Sequence, residues 1–180
     1  TLVDETDMLD IWRVFVSGKR MAGNAFDFGT LIDTRERRRI VGDFTIDIFD
    51  QVLSRTHPDT VVEAYSNFDT HGYTIDPYFT INYPHHKGMR TYIPYRAMLP
   101  KDMDGILVVG LGISAHRDAV PVIRMQPDIQ NGGYAAGVAG AMAAKAGTTV
   151  RKIDIQALQK HLVGIGNLKA NVLSTKDSFP

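Results

Sequence analysis

Apolar positions along the chain change spacing several times, and each change marks a predicted element. From Asp4 to Ser17, Met8, Trp12 and Phe15 recur at i, i+4 and i+7, with acids in the first turn and Lys19-Arg20 beyond the last, which predicts an amphipathic helix. Arg38 to Ile48 mixes β-branched and aromatic residues in partial alternation and predicts a strand, followed by a short helix over IDIFDQVLS. VVEAYSN, YFTINY and RTYIPY are short, β-rich and bounded by Pro, Gly, Asp and His, and are read as strands. Ile106 to Val109 is a four-residue apolar run of the kind found in strands buried on both faces. A long helix is then expected to start at Pro127 and to stop at Gly147, and a smaller one, IQALQKHLV, to follow Asp154 as its cap and close at Gly164 and Gly166. The fold class read from this order is α/β with α+β.

Glycine gives the second half its character. Eight of the sixteen glycines lie between Gly105 and Gly147. Backbone there must come close to a second backbone or to a cofactor. Gly132, Gly133, Ala135, Ala136, Gly137 and Gly140 make a nearly side-chain-free helix surface on which a sheet or helix could sit. The start of that helix leaves the amides of Asp128, Ile129 and Gln130 without helical acceptors and exposes the positive dipole end, a site suited to developing negative charge.

Composition removes whole classes. A chain of 180 residues with 44% hydrophobic and 22% charged residues is ordinary globular material. Twenty basic residues balance twenty acidic ones, so no net field recruits nucleic acid or an anionic membrane. The longest nearly apolar run, Gly132 to Ala144, is too short to span a bilayer. Zero Cys excludes disulfides, thiolate zinc sites and thiol catalysis. The acidic start TLVDETDMLD does not read as a signal peptide, and a cytoplasmic location is favoured. Without an initiator Met, Thr1 is read as an internal position of a longer enzyme or the start of a split subunit.

The string GLGISA, Gly110 to Ala115, fits the G-x-G-x-x-G/A dinucleotide fingerprint, but the fingerprint needs a helix that starts within it. Pro121 and Pro127 interrupt any helix running from Ala115, and no acid-terminated strand follows about twenty residues on. Taken at face value it would make a small NAD-binding domain whose affinity is lost on Gly112→Val. His85-His86 lacks the i, i+4 spacing and nearby carboxylates of a helical metal site, so no metal is expected.

Four motifs occur in order: TRERRRIVGDFTID with Arg35, Glu36, Arg38, Arg39, Ile40 and Gly42; IPYRAMLP; ILVVGLGIS; and Arg124, Pro127 and GYAAG. Together they resemble the C-terminal part of the FAD-dependent oxidoreductases related to the fumarate reductase and ketosteroid dehydrogenase flavoproteins. That resemblance covers nearly the whole chain and departs from the family pattern at Leu111, where an Arg is usual, and in lacking an N-terminal GxGxxG. It implies the last strand and helix of a Rossmann-like FAD-binding domain at 92–150, part of a mixed substrate or cap region at 1–91, and a C-terminal helix and tail at 151–180. FAD is the implied cofactor, with Gly110, Gly112, Ile113, Ser114, Arg124, Gln126, Asp128 and Ile129 facing it. Tyr95, Arg96, His116 and His71 are the implied catalytic or substrate-orienting residues, with Tyr92 nearby. The implied partners are a small-molecule substrate and the missing FAD-binding segment or a partner chain. The competing expectation is a non-catalytic subunit that completes a flavin site in trans or packs in a complex.

Overall fold

The computed structural model describes residues 7–20, 38–70, 74–84 and 88–179. Contacts divide the chain into two units, residues 1–36 with 71–73, and residues 37–70 with 74–180. In the first, the described part is helix α1, Met8–Arg20, which begins four residues later and runs three residues further than its apolar spacing suggests. Asp7 accepts from the Leu9 amide at its start, and Lys19 and Arg20 close its last turn.

The second unit is built on one antiparallel hairpin. Strand β1, Thr60–Asn67, pairs with β2, Gly88–Pro94, in a register running from Val62↔Ile93 to Asn67↔Gly88, with an irregularity between Thr60 and Val62. Two of the three predicted strands are therefore present. The third, YFTINY, forms instead helix α3, Pro77–Ile81, because Asp76 caps the Tyr78 amide and Pro77 sits in the first turn with its fixed φ. Aromatic β-propensity yielded to the cap. Helix α2, Ile48–Val52, has a full capping box: Asp47 accepts from the Phe49 and Asp50 amides, and the Asp50 carboxylate accepts from the Asp47 amide. Asp47→Ala is expected to lower stability by about 1 kcal/mol, and Asp47→Ser to restore most of it, by urea unfolding.

The strand predicted over Arg38 to Ile48 is not a strand. It makes two single bridges, Gly42↔Pro100 antiparallel and Ile46↔Ala115 parallel, and threads between residues 97–101 and 112–116. Gly42 is the reason it fits: a Cβ there would lie 2.7 Å from the Ser114 Cβ. Ile106 to Val109 is likewise extended without joining a sheet. The Val108 amide donates to the Met98 carbonyl, but Ile106 is 45% exposed and its three neighbours are only partly buried.

Helix α4, Val120–Ile123, is short and fully buried; helix α5, Gln126–Ala146, is the longest element. Its buried positions Asp128, Gly132, Ala135, Ala139 and Ala143 form one stripe at helical spacing, laid on β1. Small residues bring the helix backbone close to the hairpin, with the bare Gly132 facing Met98 and Val62. Gly147 ends the helix in the left-handed conformation, as its position predicts. Helix α6, Ile155–Gly164, is capped by Asp154 and buries Leu158 and Leu162, while Gln159 Nε2 donates to the carbonyls of Pro58 and Thr60. Gly166 turns the chain after it with φ 84°. These elements share one core; a smaller cluster, Ile48, Phe68, Phe79, Met89 and Val122, lies under α2 and α3.

Residues 176–178 lie along residues 55–57. Arg55 holds Asp177 through both carboxylate oxygens, Thr56 bonds the Lys176 carbonyl and Ser178, and the Arg55 guanidinium sits over the rings of Phe44 and Phe179. The whole is a mixture of helices with a small two-stranded sheet, compatible with an α/β fold. No described helix is long and apolar enough to cross a membrane.

Candidate functional site

The N-terminal end of α5 gathers four of the residues singled out from sequence. Gly110, Ile113, Asp128 and Ile129 line one small cleft with Gly132, closed on the other side by Val62, Ile93, Met98 and Ile123. Its volume of about 10 Å³ is room for about one water, so the residues make a wall rather than an enclosed chamber. The Gly110–Gly112 segment is a single 3-10 turn packed against α5. Gly110 takes φ 67°, a left-handed value that favours glycine, and a Cβ there would touch Ile129 at 3.5 Å. No α-helix begins within Gly110 to Ala115; the next starts at Val120. The glycines therefore serve a turn beside α5 and do not open a phosphate-binding helix.

The free amides at this helix end differ from those expected. Helix α5 begins at Gln126, one residue early, and the Ile129 amide already donates to the Met125 carbonyl. That leaves Gln126 and Asp128 as the first-turn donors, since Pro127 has no N–H. No side chain caps this end. Gln126 is exposed, whereas Asp128 is only 9% exposed and its Oδ2 has no hydrogen-bond partner. Burial among apolar neighbours pushes its carboxyl up to about 6. Sequence reading used only the amide of Asp128; nothing in the sequence marks its side chain as turned inward.

The remaining predicted residues are placed elsewhere. Tyr95 is buried and donates to the Val150 carbonyl, and burial pushes its hydroxyl far up from its usual range. Arg96 holds Asp59 through its Nε and its backbone amide, with the guanidinium over Phe44. Ser114 Oγ accepts from the Gly42 amide and bonds Thr45. His116 caps the next turn, its Nδ1 accepting from the Asp118 amide. Arg124 donates to the carbonyl and carboxylate of Asp69. Gly112 approaches Val108, and Tyr92 lies opposite Glu63 across the hairpin. His71, Arg35, His85 and His86 lie outside the described residues. Among the described residues no three His, Asp or Glu side chains gather as a metal-ligand set.

One buried titratable group escaped the sequence reading altogether. His57 is fully buried, with neither ring nitrogen hydrogen-bonded and its edge against Phe44 at 4.8 Å. Burial, assisted by the nearby Arg55 charge, drives its pKa down to about 4, so it is neutral.

In a comparison with protein families, the family model described as FAD dependent oxidoreductase matches residues 11–162. No curated protein and no solved structure matches the chain. The matched span takes in the 38–46 segment, the hairpin, the glycine turn and the whole of α5. It shows the family but neither the fumarate reductase or ketosteroid dehydrogenase branch nor a C-terminal fragment.

Proposed function

We propose, for a chain that belongs to the FAD dependent oxidoreductase family, that it forms the C-terminal portion of an enzyme in the branch resembling fumarate reductase and ketosteroid dehydrogenase. Its cofactor is FAD and its function a flavin-linked redox one. When bound, FAD supplies a two-electron centre that exchanges a hydride with a carbon of a small organic substrate.

The residues at the α5 end suit one wall of such a site. Gly110 takes the left-handed φ that turns the backbone against Ile129, the Gln126 and Asp128 amides with the helix dipole favour a partial negative charge, and the unpartnered Asp128 carboxyl offers a further polar contact. Ile113, Val62 and Ile93 exclude water beneath. The observation that carries this reading is the uncapped helix end with a buried, unpartnered Asp128 beside a glycine turn. Tyr95, Arg96, His116 and Arg124, each engaged with protein groups, would act on substrate only after exchanging those partners. The phosphate-binding unit would be supplied by another stretch of polypeptide.

Flavin retention by the whole enzyme, with its phosphate-binding unit, provides the test. Gly110→Val puts a branched side chain at φ 67° and against Ile129, and is expected to lower the flavin released on denaturation about tenfold or more. Gly133→Ala, where an added Cβ meets nothing, is the folded control and keeps full flavin. A Gly110→Val protein that melts like its parent and retains its flavin would overturn the wall. The second reading, a subunit completing the site in trans, is favoured by the open stripe of Gly133, Gly137 and Gly140 on the face of α5 away from β1. Co-purification with a stoichiometric partner that carries the flavin phosphate contacts would select it.

A further inference from the structure

Residues 176–179 cross the edge formed by residues 55–57 without joining the core. Val172 is buried, but none of residues 173–179 is, so lifting them takes no buried side chain of their own into water. A segment with few buried apolar contacts and exposed hydrogen bonds belongs to the part of a fold that opens most readily.

The contact nevertheless engages three consecutive side chains. Arg55 Nε and Nη2 donate to the two carboxylate oxygens of Asp177 at 2.9 and 3.0 Å. The Thr56 amide donates to Ser178 Oγ, and the Thr56 carbonyl accepts from the Ser178 amide. The Arg55 guanidinium lies 4.6 Å from the centroid of the Phe179 ring. Thr56 Oγ1 adds a bond to the Lys176 carbonyl. Asp177 Oδ1 also accepts from the Phe179 amide, so the segment carries its own local turn.

The receiving side has supports that do not come from this segment. Arg55 Nη1 donates to the buried Asp50 carboxylate of the α2 capping box, and the guanidinium also lies over Phe44. An arginine anchored this way keeps a planar fork set for a carboxylate.

We propose that the 55–57 edge is a docking site for an acidic peptide segment of a partner polypeptide, with a hydroxyl residue and then an aromatic one following the acid, and that residues 176–179 occupy it in cis as an exchangeable strap. Thr56 supplies main-chain bonds open to many segments, whereas the Arg55 fork and its face select the acid and the ring. The tethered strap competes at an effective concentration on the order of millimolar, which keeps the edge closed to weak ligands. None of these residues lines the cleft at the α5 end, and the proposal is independent of the flavin reading.

The probe is a dye-labelled Lys-Asp-Ser-Phe amide, and its binding to the full chain is followed by fluorescence anisotropy. Asp177→Ala removes the carboxylate of the strap and leaves Arg55 on Asp50. We expect this variant to bind the probe about tenfold more tightly than the parent, whose strap competes. It should bind a Lys-Asn-Ser-Phe amide about tenfold more weakly than the acidic probe. Equal affinity of parent and variant, no binding to the variant, or equal affinity for the two probes overturns the proposal. Amide exchange in the parent chain decides even where Asp177→Ala does not fold. The Ser178 amide is expected to exchange about a hundredfold faster, relative to its intrinsic rate, than the best-protected amides of β1. Equal protection means that the strap leaves only when the chain unfolds, and overturns the proposal.

Discussion

Phe79→Ala is expected to lower stability by about 3–5 kcal/mol, seen as a fall in the urea midpoint at constant slope. Phe79 has no exposed surface, packs at a tilt against the Phe68 ring with centroids 4.6 Å apart, and is one of two phenylalanines in a cluster of five buried residues. A cluster that small has little else to fill the void, because Ile48 and Met89 are anchored in α2 and β2. Against a total of about 5–15 kcal/mol for an ordinary domain, such a loss leaves the chain near its unfolding threshold. Ile81→Ala in the same helix is the control: at 80% exposure it should change stability by no more than about 0.5 kcal/mol. A loss below about 1 kcal/mol for Phe79→Ala would show that α3 collapses onto the space and that the cluster is not close-packed.

Two buried groups are expected to oppose one another as acid is added. The unfolded chain protonates His57 near 6.5, whereas the folded chain does so only near 4. Its contribution is therefore complete above about pH 6.5 and is lost as pH falls to about 4. Asp128 runs the other way. Unfolded it ionises near 3.8, and folded it keeps its proton to about 6, so its stabilising effect is complete below 3.8 and is lost as pH rises through 6. Each shift corresponds to about 3 kcal/mol, and the two nearly cancel between pH 6.5 and 4. Asp128→Asn is expected to expose the histidine, with stability falling by about 3 kcal/mol across that window relative to the parent. His57→Leu is expected to give a rise of similar size. Asp50, also pushed up by burial, is common to all three proteins and drops out of the differences. Below pH 4 the Arg55–Asp177 pair adds a smaller loss, since Arg55 holds the Asp177 carboxyl down to about 2. Superimposable profiles for all three proteins would show that neither group is as desolvated as the fold makes it.

What could be seen in the sequence was whatever its own punctuation fixes. Pro127, Gly147 and Asp154 mark helix ends through local bonds or local φ values, and α5, one residue early at its start, and α6 appear where they predict, while α2 falls within IDIFDQVLS. The β1 and β2 segments alternate enough to be read as strands. In YFTINY the aromatic β-propensity suggests a strand, while the preceding Asp76-Pro77 start signal decides for a helix. The 38–46 and 106–109 segments look like strands because they are apolar and extended, but strand pairing depends on which backbone lies alongside, and no local spacing states that. The same limit applies to the site. Glycine positions and the α5 start are readable and come together in one cleft, whereas the engagements of Tyr95 with Val150 and Arg96 with Asp59 are set by residues 55 and 37 positions away.

The contact between residues 55–57 and 176–178 also has a consequence during synthesis. These partners are 120 or more residues apart in the chain. At about 5–20 residues per second, the ribosome needs on the order of ten seconds to deliver the second after the first. In the later part of that interval the hairpin is complete in sequence while Arg55 holds Asp50 but not yet Asp177, so the nascent chain passes through a period in which this edge is open to chaperones and proteases.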